Sequence, residues 1–214
     1  MKKITTCILL LFSATISFCQ QTNDGTKKSS IKKFYVQAGA GVTSSNGASI
    51  DFGIQAIWKS KWTGTISYQH IQMDPKNLPN NYEQGVTYVL FFPVYDEMPS
   101  NDMDILSVTI GKYFSSGKKT WFTTEAGLSF VKGQQFKFIS QPLVTELFYV
   151  SSNYSFKEES KTGFGGVVKA DFNWAFLRYV GLGAGVYANF NSVQSPVGFE
   201  LKLLVGRLNT KRKN

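Results

Sequence analysis

The chain has 214 residues, a formal net charge of +9, 15% aromatic side chains, 19 glycines and only 17% charged side chains. That length fits one domain. So few charges among so many aromatics and glycines argue against an ordinary water-soluble domain and suit a barrel that faces lipid.

Met1–Cys19 reads as a secretory signal. Lys2 and Lys3 form its positive start, and Ile8–Phe12 its apolar stretch. Ser17 and Cys19 are the small residues before an expected cut at Gln20. Phe18 is too bulky for Cys19 to read as a lipidated cysteine. The stretch is too short for a transmembrane helix, and no later segment approaches the roughly 20 apolar residues that a span needs. Cleavage removes Cys7 and Cys19, so disulfides and thiol catalysis are excluded from the mature chain. Residues 20–33 are polar and are expected to form a flexible leader.

From Phe34 onward the apolar residues recur every second position, the period of a strand with two unlike faces. The first strand is predicted at Phe34–Val42, with Val36, Ala38 and Ala40 opposite Tyr35, Gln37 and Gly39. The second, Ala48–Trp58, sets Ile50, Phe52 and Ile54 against Asp51, Gly53 and Gln55. Lys59–Lys61 is a tight turn into the third, Trp62–Ile71. A long connection, Gln72–Asp104, carries Pro75, Pro79, Pro93 and Pro99. The fourth strand is predicted at Ile105–Phe114. The fifth, Thr120–Val131, sets Phe122, Leu128 and Phe130 against Trp121, Glu125 and Ser129. A second long connection covers Lys132–Lys161, whose Phe136–Ile139 and Leu147–Val150 could extend the flanking strands. The sixth strand is Thr162–Phe176. The last hairpin, Tyr179–Arg207, supplies strands seven and eight. There Val180, Leu182, Val186 and Phe190 oppose glycines and tyrosines, and Phe199, Leu201 and Leu203 oppose Glu200 and Lys202.

These eight strands alternate short turns with longer connections, the arrangement of an all-β, antiparallel, up-and-down transmembrane barrel with short periplasmic turns and two long extracellular loops. The ring must close, because an open edge in lipid leaves backbone groups unpaired at several kcal/mol each. Trp58, Trp62, Trp121 and Trp174 all fall beside short turns and are expected to form an aromatic girdle. Charge segregates too. Lys59, Lys61, Lys118, Lys119, Arg178 and Arg207 lie at the short-turn side, with Lys32 and Lys33. Asp74, Glu83, Asp96, Glu97, Asp102, Asp104, Glu146, Glu158 and Glu159 lie in the long connections. The basic residues sit at turns and termini without a recognition motif, so nucleic acid is not an expected partner.

The signal, the strand rhythm over 34–208 and the last strand resemble the small eight-stranded outer-membrane barrels of the OmpX, OmpW and OmpA type, in particular the outer-membrane β-barrel domain proteins common in Bacteroidetes. The resemblance implies a place in the cell outer membrane, with outer-membrane lipids and the barrel-assembly machinery as partners. In that family the machinery reads a glycine followed by apolar residues three and five positions on; Gly198, Leu201 and Leu203 match. Family chains often stop on an aromatic residue, whereas this one runs on through a basic tail, residues 209–214.

The inward set holds Asp51, Glu125, Lys169, Asp171, Glu200 and Lys202 with Gln37, Gln55 and Gln69. Eight strands enclose a lumen that side chains just fill, so a polar plug is expected rather than a conduit. Buried charges need partners. Asp171 and Glu125 are expected near Lys169, and Glu200 near a lysine across the barrel. His70, the single histidine, falls on the lipid side by parity. Tyr68-Gln-His70-Ile-Gln72 is similar to the histidine–serine strand of the outer-membrane lipid A deacylases, but Gln72 stands where the nucleophile belongs and cannot form an acyl intermediate. No catalytic, cofactor or metal set is expected. The glycine runs Gly163–Gly166 and Gly181–Gly185 lead into no helix and are not phosphate loops. Tyr82, Tyr88, Phe91, Phe92, Tyr95, Phe148, Tyr149 and Tyr154 put aromatics among acids in the long loops. Those loops either pack on themselves or offer a surface for an extracellular protein or glycan. The expected function is that of a non-enzymatic integral barrel with a structural or surface-interaction role. The alternatives are OmpW-like passage of small or apolar solutes and, more remotely, modification of lipid A. A soluble ligand-binding barrel would need the apolar set inside.

Overall fold

The computed structural model describes residues 31–44, 46–58, 61–75, 79–89, 92–95, 100–116, 119–142, 145–146 and 149–208. The expected signal and the basic tail lie outside them, as does the leader up to Ser30. Twelve strands follow in chain order: β1 (Ile31–Thr43), β2 (Gly47–Trp58), β3 (Trp62–Met73), β4 (Val86–Val89), β5 (Phe92–Tyr95), β6 (Asn101–Ser115), β7 (Thr120–Ser140), β8 (Thr145–Glu146), β9 (Tyr149–Val150), β10 (Tyr154–Trp174), β11 (Val180–Asn191) and β12 (Val197–Arg207). Eight of them close into a barrel in the order β1-β12-β11-β10-β7-β6-β3-β2. Every pairing in the ring is antiparallel, and β12 closes it against β1 from Phe34↔Arg207 to Thr43↔Gly198.

Alternation sets the two surfaces. Tyr35, Gln37, Asp51, Gln55, Glu125, Lys169 and Glu200 are buried inside the ring. Their neighbours Phe52, Ile66, Leu106, Val108, Leu128, Phe172, Val186 and Leu201 are exposed on its wall, Leu128 by 76%. A soluble barrel would bear the reverse pattern. An apolar wall on a closed antiparallel ring is the surface that a bilayer requires. The β1–β2 turn is tight enough to hold Asn46 at φ 49°, a left-handed conformation that asparagine tolerates.

Several boundaries differ from the sequence expectation. β1 starts at Ile31, inside the expected leader, and β3 runs on to Met73. β7 continues to Ser140 and β10 begins at Tyr154, so most of the second long connection is a two-stranded ribbon. The ribbon continues the period of the barrel strands, which is why Phe136–Ile139 belongs to β7. Val150, expected to do the same, instead lies in β9 of a separate sheet ordered β5-β4-β9-β8. Leu147 and Phe148 lie outside the described residues. The first long connection also carries structure, the β4–β5 hairpin.

The wall makes a direct prediction. Leu128→Arg places a guanidinium on the lipid-facing surface and should destabilise the barrel by about 2–4 kcal/mol if the site lies at the bilayer midplane. Urea unfolding in phospholipid vesicles measures this. A change near zero would mean that the wall does not face hydrocarbon.

Candidate functional site

The lumen is built in three layers, because each strand changes the character of its inward residues along its length. At the short-turn end Tyr35, Ile57, Trp121, Ala175, Leu204 and Leu208 form a buried apolar cluster, with Tyr113 packed against it. At the long-loop end Ile71, Met73, Met103, Ile105, Val131 and Tyr187 form another, with Val193 against it. The charged residues expected in the lumen occupy the strand positions between the two clusters.

Trp121 corrects the expected girdle. It is fully buried and packs edge-on against Tyr35, with ring centroids 5.9 Å apart. Its parity in β7 matches Thr123 and Glu125, and parity outweighs closeness to a turn. Trp58, Trp62 and Trp174 do lie on the outer wall. Lys33, expected at the basic rim, is also inside. Its Nζ sits 3.4 Å from the Trp121 ring centroid and covers the apolar cluster with a cation. On the outer wall toward the long-loop end, Phe130 and Phe164 pack with ring centroids 5.4 Å apart.

The ion pairs also differ from expectation. Lys169 reaches Asp51 at 3.4 Å and the Ser67 hydroxyl at 2.7 Å. Asp171 pairs with Lys202 at 2.7 Å rather than with Lys169. Glu200 lies 3.7 Å from that same Lys202, two residues along its own strand and not across the barrel, and accepts from Gln69 at 2.5 Å and Ser49 at 3.2 Å. Glu125 is opposite Lys169 in register, yet among the described residues it has no cation within ion-pair distance. Four neutral donors surround it instead: Gln55 at 2.5 Å, Thr63 at 2.7 Å, Thr65 at 3.0 Å and Thr109 at 2.5 Å. Tyr35 donates to Gln55, which joins this set to the Trp121 cluster. A long side chain in a ring can reach several strands, so strand register alone does not choose its partner. Gly185 has a specific role here: a Cβ on it would collide with the Asp171 carboxylate, which needs that space to meet Lys202.

Above the ring the two long connections are fastened together. β4 pairs with β9 through Val86↔Val150 and Thr87↔Tyr149. Asn153 donates to the Asn81 carbonyl at 2.5 Å, and Tyr154 donates to the Asn81 side chain at 2.9 Å. The Tyr82 ring packs against Phe138 and Tyr154 at 6.0 and 6.4 Å. On the outer wall, His70 Nδ1 lies 2.9 Å from Asp104 Oδ1, which also accepts from the Tyr68 hydroxyl at 2.6 Å. Gln72 donates to the Ser100 hydroxyl at 2.9 Å. Among the described residues the side-chain partner of His70 is Asp104, and Gln72, two residues on, bonds elsewhere.

An apolar wall around a closed, charge-filled ring defines a transmembrane β-barrel of the outer-membrane type. No family model and no curated protein matches the chain. Among solved structures it is similar to the N-terminal β-barrel domain of Pseudomonas aeruginosa OprF, with 8% identity and a TM-score of 0.49 over 82% of this chain and 97% of that one. It is also similar to Ail, the attachment invasion locus protein of Yersinia pestis, with 10% identity and a TM-score of 0.44 over 81% of this chain and 94% of that one. For Ail in complex with the heparin analogue sucrose octasulfate the identity is 10% and the TM-score 0.43, over the same 81% and 94%.

The lumen network ranks two substitutions. Lys202→Met strands the buried Asp171 and Glu200 carboxylates and should cost about 3–5 kcal/mol. Glu125→Gln keeps an acceptor among neutral donors and should cost less than half of that. Unfolding free energies in vesicles compare them; equal losses would refute the partner assignments.

Proposed function

We propose that the chain is an integral protein of the bacterial cell outer membrane whose closed barrel serves as a rigid post for its joined outer loops. Its role is structural or one of surface interaction, with neither catalysis nor solute passage. The observation that carries this reading is the double plug: buried apolar side chains fill the lumen at both ends of the charged layer. Water and ions would have to cross both clusters, and a filled eight-stranded ring leaves no aqueous path. The short turns belong to the periplasmic side and the ribbon and the β5-β4-β9-β8 sheet to the outside, the usual arrangement for such barrels. The loops then form one platform, suited to an extracellular protein or glycan.

The membrane boundaries fit the same reading. Lys112 Nζ lies 3.5 Å from the Trp62 ring centroid, a cation and an aromatic ring at the level of periplasmic-leaflet headgroups. Reconstituted in planar bilayers, the protein should conduct no more than a protein-free control. Truncating the short-turn plug with Tyr35→Ala and Trp121→Ala should raise the current or shorten the life of the folded barrel. Steady conductance by the unaltered protein would refute the sealed-lumen reading.

The barrel-assembly machinery is the proposed partner of β12. Leu201 and Leu203 are exposed on the wall, and Gly198 lies beneath the Tyr187 ring, where a Cβ would approach the ring atoms to 2.6 Å. The glycine therefore has a packing role besides any recognition role. Leu201→Asp with Leu203→Asp should abolish insertion in cells. Leu182→Asp with Val186→Asp puts the same charges on the β11 wall, outside the signal, and should leave more protein in the membrane fraction. Equal losses would show that lipid contact alone matters.

A further inference from the structure

Among the described residues each ribbon strand has one open edge beyond the barrel, and that of β10 is the longer. β7 loses its β6 partner beyond Met103↔Gly133, and β10 gains its β11 partner only at Gly165↔Asn191. Between Ser155 and Thr162, β10 therefore has β7 on one flank and, among the described residues, no paired strand on the other; at Gly163 Ser192 comes up beside it. Ser155–Thr162 are all exposed. Backbone N–H and C=O groups along such an edge are a template for another strand.

The side chains on this edge carry a pattern. Lys157, Glu159 and Lys161 share one face, spaced by two, and alternate in sign. The ribbon does not neutralise them. Lys157 stands directly opposite Lys137 and Glu159 opposite Gln135. Lys161 donates to Gln135 Oε1 at 2.8 Å. Among the described residues none of the three forms an ion pair. Like charges directly opposed on an antiparallel ladder are unfavourable, so the Lys137–Lys157 pair favours an acid arriving beside it. On the other face Phe156 packs against Phe136 at 5.3 Å and remains 46% exposed.

We infer that the free edge of β10 receives an extended protein segment by strand addition, and that the segment carries the complementary order acid, base, acid at alternate positions. Main-chain hydrogen bonds supply the affinity, and the charges opposite Lys157, Glu159 and Lys161 set register and choice of partner. The order is the same read in either direction, so it does not depend on whether the added strand runs parallel or antiparallel. A further base opposite Glu158 and an aromatic residue opposite Phe156 complete the match. The inference rests on the surface-interaction reading of the loops, and it names the partner's chemistry.

The test uses the full barrel in detergent micelles or nanodiscs and two labelled peptides. One bears Glu-Thr-Lys-Lys-Glu-Tyr opposite Lys161 to Phe156; the other, Lys-Thr-Glu-Glu-Lys-Tyr, reverses every charge. Fluorescence anisotropy should show the first binding at least tenfold more tightly. Amide exchange of residues 155–163 should slow only with that peptide. N-methylation of its alternate amides on the pairing side should abolish binding. The variant Lys157→Glu, Glu159→Lys, Lys161→Glu, altered only at exposed positions, should prefer the second peptide. Absence of binding by either peptide, or equal binding by both, would overturn the inference and leave the charges as guards against aggregation. In that case an inserted, non-conducting barrel would still support the broader reading, whereas a conducting one would remove its basis.

Discussion

Backbone hydrogen bonding in a medium without water is the constraint on which everything else depends. A strand in lipid cannot leave its N–H and C=O groups unpaired, so the sheet has to close on itself. Here the closure is made by β1 and β12, the first and last strands. Once the ring is closed, the pleat of each strand has only an inside and an outside to choose between. Lipid takes the apolar set, and the lumen must accommodate whatever remains.

What remains is a packing problem as much as a polar one. A ring of eight strands encloses about enough room for side chains to fill. Tyr35 with Trp121 at one end, and the methionines Met73 and Met103 at the other, fill that space with large apolar groups. The carboxylates between them are held by Lys169, Lys202 and a set of threonine hydroxyls and glutamine amides. Glu125 is the sharpest case, since its charge is met by four neutral donors. A charge buried this way stays solvated by the protein itself, and losing a single donor matters less than losing a cation.

Outside the membrane the constraint relaxes. Water can satisfy an edge, so β7 and β10 can outrun their neighbours and stand as a ribbon, and a small sheet can join the two long connections. The open edge that lipid forbids is tolerated here. Lys157, Glu158, Glu159 and Lys161 are exposed along it.

The period of two in the sequence determined the eight strands of the ring, their antiparallel order and which face each residue takes, because parity along a strand is a local property. It put Asp51, Glu125, Lys169, Asp171, Glu200 and Lys202 on the inward face and His70 on the outward one; the six are buried and His70 is half-buried. The same parity puts Trp121 inside with Thr123 and Glu125, although it stands beside a short turn. Only the tertiary structure decided which charges meet. Lys202 bridges Asp171 and Glu200, and Glu125 is left to neutral donors, because contacts across a lumen depend on strand tilt and side-chain reach around the whole ring. The length of the ribbon and the β4–β9 pairing were likewise undecided by the chain's local pattern. Beyond the membrane no solvent imposes closure, and the partner of each strand is chosen by packing between segments far apart in sequence.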